Sequence, residues 1–83
     1  MNVFDFELLA RREGEAWARG RLEQLRLLGR PIPPDWPGLM ALAYLTAEDL
    51  ATVRAIDPRD VQKLALRIND YAERAWAALV QAA

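Results

Sequence analysis

The sequence predicts an all-α protein, a small helical bundle, on three observations. Leu, Ala, Arg and Glu dominate the chain, and these are strong helix formers. Two long stretches carry apolar residues at three- and four-residue spacing, while no stretch alternates as a half-buried strand would. Helix punctuation bounds those stretches, with Gly29 as a stop and Asp57-Pro58 as a start. The 83 residues make one domain. A chain of this size hides only about 60–65% of its unfolded surface, so its core is modest.

The first element is a long helix over about residues 4–28. Asn2 or Asp5 can cap it, and Glu7 lies where the helix dipole favours an acid. At 100° per residue, Phe6, Leu9, Ala10, Trp17, Leu27 and Leu28 share one side, with Glu13 and Gln24 among them. Arg12, Arg19 and Arg26 repeat every seventh residue on the opposite side, interleaved with Glu15 and Glu23. Gly14 and Gly20 interrupt the helix, each costing about 1 kcal/mol relative to Ala.

Residues 29–38 form a proline-rich strap that cannot be helical and is too apolar, with Ile32 and Trp36, for a free linker. Two short helices follow, one over about 39–45, apolar almost throughout and expected to be buried, and one over 47–55, capped by Thr46 with Glu48 and Asp49 in its first turn. Asp57-Pro58-Arg59-Asp60 then opens a long helix over 58–80, with Asp capping and Pro at the first helical position. Val61, Leu64, Ala65, Ile68, Tyr71, Ala72, Ala75 and Leu79 make its apolar stripe. Helices of this length cross the whole molecule, and the expected arrangement is a long antiparallel pair with the short helices on one side.

Composition narrows function. The chain has no His, Cys or Ser and a single Lys, Lys63. The commonest general base, the commonest metal ligands and two of the commonest nucleophiles are therefore missing. Its carboxylates sit at helix starts or alternate with Arg, as caps and solvated faces do, and no glycine-rich phosphate loop is present. The expectation is a protein that is no enzyme and uses no cofactor and no metal. Asp5 and Glu7 stand where a signal peptide would be basic, and no apolar run spans a bilayer, so a cytoplasmic protein with no membrane partner is expected.

An apolar content of 53% in so short a chain leans toward association. Leu22 and Leu25 fall off the first helix's stripe, and Leu66, Trp76 and Val80 off or at the edge of the last one's. With Trp17, Trp36 and the row Arg12, Arg19 and Arg26, they are the candidate partner-binding residues. The expected function is a helical protein–protein interaction module, an adaptor or regulatory protein, binding another protein or itself as a homodimer. The alternative is a helix-turn-helix DNA binder over residues 46–68, reading DNA through Arg59, Gln62, Lys63 and Arg67. Asp60 and Asp70 on the same face, Arg54 at an apolar position and a net charge of −1 disfavour it. The strap's PxxP spacing also suits a docking peptide, although a structural strap is the simpler reading.

Overall fold

The computed structural model describes the backbone of residues 3–82 and the side chains of residues 5–82. Asn2, one of the two expected caps, lies outside the described residues. Helix α1 spans Val3–Leu27 and α2 spans Met40–Arg54; a single 3₁₀ turn, Pro58–Asp60, leads into α3, Val61–Ala82. There is no strand among the described residues, so the fold is all-α. Because the helix already runs at Val3, Asp5 sits in its first turn.

Helix α1 stops at Gly29, as expected. Gly29 takes a left-handed φ of +64°, its N–H donates to the Arg26 carbonyl and the Arg30 N–H to the Leu25 carbonyl. That pair of bonds is a Schellman motif, which satisfies carbonyls the helix end leaves open. The start of the third helix is also as expected: the Asp57 carboxylate accepts from the Arg59 backbone N–H at 2.9 Å, with Pro58 at the first position.

The middle differs from the expectation. Residues 40–54 form one helix, not two. Thr46 does not cap; its hydroxyl donates to the Leu42 carbonyl at 2.9 Å, and Thr52 does the same to Glu48 at 3.1 Å. A threonine that bonds back four residues sits inside a helix without ending it. Nor is 39–45 a buried segment. Helix α2 buries only Ala43, Ala47 and Ala51, a four-residue alanine seam against α3, and leaves Leu39, Leu42 and Leu45 exposed.

A continuous α2 changes the direction of the fold. It runs back alongside α3 and joins it through the short connection Ala55–Asp57, so α2 and α3 are the antiparallel neighbours. The two long helices are parallel instead of antiparallel, as their contacts show. Glu7 pairs with Arg67. Farther along, Gly14 abuts Ile68, Tyr71 and Ala72, and Ala18, Leu22 and Leu25 surround Trp76. Both sequences advance together. The result is an up-down-up bundle 39 Å long, the length that 25 helical residues reach at about 1.5 Å each.

Helix α3 is central: α1 and α2 both pack on it and hardly on each other. Two neighbours give it a wide buried face, comprising Val61, Leu64, Ala65, Ile68, Ala72 and Trp76. The α1 stripe needs a correction. Leu27 and Leu28, expected inside, are 79% and 61% exposed, while Leu22 and Leu25 are core at 4% and 7%. From Ala10 to Leu25 burial recurs at steps of four, four, four and three residues, longer on average than the 3.6-residue helical turn, so the buried stripe drifts around α1 and away from Leu27 and Leu28. The α1 positions buried here are Ala10, Gly14, Ala18, Leu22 and Leu25, which follow the partner helix. Gly14 is the closest approach: a Cβ there would lie 2.5 Å from the Ile68 carbonyl oxygen and 2.8 Å from the Ala72 nitrogen.

The strap lies across the top of α1 and α3. The Trp36 ring is half-buried between Trp17, edge-on with centroids 4.9 Å apart, and Trp76, tilted at 5.4 Å. Its indole N–H donates to Asn69 Oδ1 at 3.0 Å, and the Trp76 indole N–H donates to the Pro33 carbonyl at 3.0 Å. Each buried ring thus has its polar edge satisfied, as indoles in a core require.

Candidate docking surface

Because α1 and α2 share α3 without closing on each other, a groove runs between them. Near the strap it encloses about 630 Å³, lined from α1 by Trp17, Gly20, Arg21 and Gln24 and on the other bank by Leu39 and Leu42. Toward the other end a separate space of about 430 Å³ is lined by Asp5, Leu8, Leu9 and Arg12 of α1 and by Arg54 of α2. Volumes of a few hundred Å³ lined by mixed apolar and polar side chains are ordinary for a binding cleft. Here the cleft is open along its length.

The outer bank of α2 is unusually apolar for exposed surface. Leu39 is 63%, Leu42 48%, Leu45 56% and Val53 79% exposed. On α1, Arg12 and Arg19 are exposed, and neither forms an ion pair among the described residues. Arg21 is instead held by the Gln24 side chain at 2.8 Å. Arg26 is exposed near the end of α1.

The candidate residues from the sequence divide into three groups. Leu22, Leu25 and Trp76 are buried within the single chain and so are core, corrected from a second interface by the drift described above. Trp17 and Trp36 are half-buried and stacked, with an edge of Trp17 reaching the groove. Leu66, at 54% exposed, and the three arginines are on the surface, but Leu66 lies on α3 and does not line the groove. Sequence reasoning missed Leu42, Leu45 and Val53. The alanine seam at 43, 47 and 51 was the available signal: if small residues face inward, leucines at the intervening positions face out.

Of the residues of the DNA-binding alternative, Arg59 and Arg67 are held in ion pairs. The Arg67 guanidinium donates to both Glu7 oxygens, at 2.9 to 3.3 Å, and to Asp70 at 3.1 Å. The Tyr71 hydroxyl donates to Glu7 at 2.7 Å. The Arg67 and Tyr71 hydrogen bonds hold the Glu7 carboxyl below its usual range, and Glu7 in turn raises Arg67. This cluster ties α1 to α3 in register. Arg59 closes on Asp57 at 2.8 Å, which lowers the Asp57 carboxyl. Lys63 lies 5.4 Å from the Phe6 ring centroid, and Gln62 is exposed.

Among the described residues no group of acids is placed to hold a metal ion, and no helix is long and apolar enough to cross a membrane. No protein-family model, curated protein or solved structure matches the chain. The reading of this surface therefore rests on its own geometry.

Proposed function

We propose that this chain is a helical protein–protein interaction module without catalytic chemistry, docking partners on the open side of α1 and α2. One observation carries the reading: α2 turns Ala43, Ala47 and Ala51 to the core and Leu42, Leu45 and Val53 to solvent. Leaving Leu39, Leu42, Leu45 and Val53 partly outside forgoes a share of the roughly 1.5–3 kcal/mol that full burial of each supplies. A partner that covers them recovers that term, and the arginines and Gln24 along α1 supply a polar rim. The chain's lack of His, Cys and Ser supports a role as scaffold or regulator.

Photo-crosslinking in the native cell tests the proposal. A benzophenone side chain placed at Leu45 or Val53 is expected to give discrete adducts, and one placed at Leu66 is expected to give none. Absence of adducts from both α2 positions would overturn the assignment of this side as the docking surface.

A further inference from the structure

We propose that the space between the strap and α3 is a binding site for an alkylated ammonium ion, a trimethylammonium head group being the type. It stands apart from the α1–α2 side and does not rest on it. The space holds about 310 Å³, at the lower end of the range for small-molecule sites. One wall is a single face of α3, where Asn69 and Glu73 lie one turn apart beside Trp76. The other wall is the strap, which contributes Asp35 and Trp36. Two indole rings and two carboxylates therefore meet in one cavity.

What these groups offer a ligand is limited by what they already hold. The Trp36 indole N–H is given to Asn69 Oδ1 and the Trp76 indole N–H to the Pro33 carbonyl, both at 3.0 Å. Neither ring has a donor left, so each presents only carbon and π surface. Asp35 and Glu73 are exposed, and neither forms an ion pair among the described residues. No Lys or Arg among the described residues lines the space. An anion finds one amide donor there, on Asn69, and is repelled by both carboxylates. A cation is attracted by both carboxylates and by the negative faces of the rings.

The walls are fixed before any ligand arrives. The Trp36 and Trp76 ring planes are tilted by 59° with centroids 5.4 Å apart, and Trp17 braces Trp36 edge-on at 4.9 Å. Gly38 lets the strap close on the Trp36 ring, because a Cβ there would fall 2.3 Å from Trp36 Cε2. A preformed wall costs a ligand little ordering. The kind of cation follows from the lining. A metal ion needs several oxygen ligands around it, and no group of acids among the described residues is placed to supply them. An ammonium wrapped in methyl groups is instead suited to aromatic walls. Its methyls rest on indole carbon while its charge is balanced by Asp35 and Glu73.

Titration of the isotope-labelled full chain with choline chloride at constant ionic strength tests this, with the indole N–H signals followed by NMR. The Trp36 and Trp76 signals are expected to shift saturably with a Kd of about 1–10 mM. Trp17, outside the lining, is expected to shift least. The uncharged isostere, with a tert-butyl group in place of the trimethylammonium, is expected to bind at least about tenfold more weakly. Asp35→Asn combined with Glu73→Gln is expected to weaken choline by at least about tenfold. Its far-UV circular dichroism should be unchanged, since both side chains are exposed and unpaired. A trimethyllysine peptide of otherwise neutral residues distinguishes the source of the head group: much tighter binding than choline points to a modified protein chain, and similar binding to a free solute. No saturable shift up to about 100 mM choline overturns the inference. So does a response that the isostere reproduces or that the double variant leaves unchanged.

Discussion

Gly14→Ala gives the sharpest test of the α1–α3 packing, because two terms of known sign oppose each other. By helix propensity alone the substitution stabilises α1 by about 1 kcal/mol. Against that, the added methyl would lie 2.5 Å from the Ile68 carbonyl oxygen, 2.8 Å from the Ala72 nitrogen and 2.8 Å from the Tyr71 Cβ. Two of these are backbone atoms and none is the free end of a flexible chain. Relief to ordinary contact near 3.5–4 Å therefore requires the helices to separate by about 1 Å. Overpacking of this kind costs about 1–3 kcal/mol. Separation also loosens Ala10 and Ala18, both fully buried on either side of Gly14, so the upper part of that range applies. The expected net loss is about 1–2 kcal/mol, or a fall in Tm of about 4–16 °C for a domain of this size. Urea and thermal unfolding followed at 222 nm measure it. Gly20→Ala is the internal control: within the chain nothing lies within 4 Å of the same methyl there, and the substitution should raise stability by about 1 kcal/mol. A Gly14→Ala protein as stable as the parent would refute the close approach of α1 and α3.

Three further outcomes are expected. Glu7→Gln should lose about 1–2 kcal/mol at pH 7, the value for charge-assisted hydrogen bonds reduced because the Glu7 side chain is one-third exposed. Since the folded Glu7 carboxyl lies below its usual value of 4.5, its contribution is complete above that pH and disappears as pH falls through the folded value. Parent and variant stability should thus converge in acid, and a gap that persists there would contradict the assignment. Ala55→Gly should raise stability by about 1 kcal/mol in thermal unfolding, because Ala55 holds a φ of +54° that disfavours any Cβ; no gain would mean that the turn is set by something other than the α2 cap. Trp36→Ala should lose about 2–3 kcal/mol in urea unfolding, less than a fully buried Trp, because Trp36 keeps one edge in solvent. A neutral result would mean that the strap is not part of the core.

Where the sequence was legible, one local rule decided the outcome. Gly29 and Asp57-Pro58 end and start helices through their own backbone chemistry, whatever the rest of the chain does. The stripe of α3 was legible from Val61 to Ala72 because its neighbours bury a broad face that tolerates small errors of phase. Thr46 was misleading because one hydroxyl serves equally as a cap or as a donor to the carbonyl four residues back, and only the surrounding helix selects between them. That single residue split α2, and the split concealed the direction of the fold. The exposed face of α2 was illegible for a related reason. Leu42 and Leu45 read as core by hydrophobicity, and Leu22 and Leu25 read as surface by a straight projection; the packing partner reverses both. Gly20 was noted as an interruption, but its meaning depends on the empty space above it.

The parallel course of α1 and α3 has a consequence for how the chain folds. The α2–α3 hairpin closes through a connection of a few residues, so its loop entropy is small and it can form early. The α1–α3 contacts join residues 60 and 64 positions apart, and each must wait for most of the chain to be gathered in. The Glu7–Arg67 cluster at one end and the Trp17–Trp36–Trp76 stack at the other are then late contacts, formed after the rate-limiting step. Changes there are expected to act on how fast the native state comes apart more than on how fast it assembles, leaving the hairpin to set the pace and the first helix to set the lifetime.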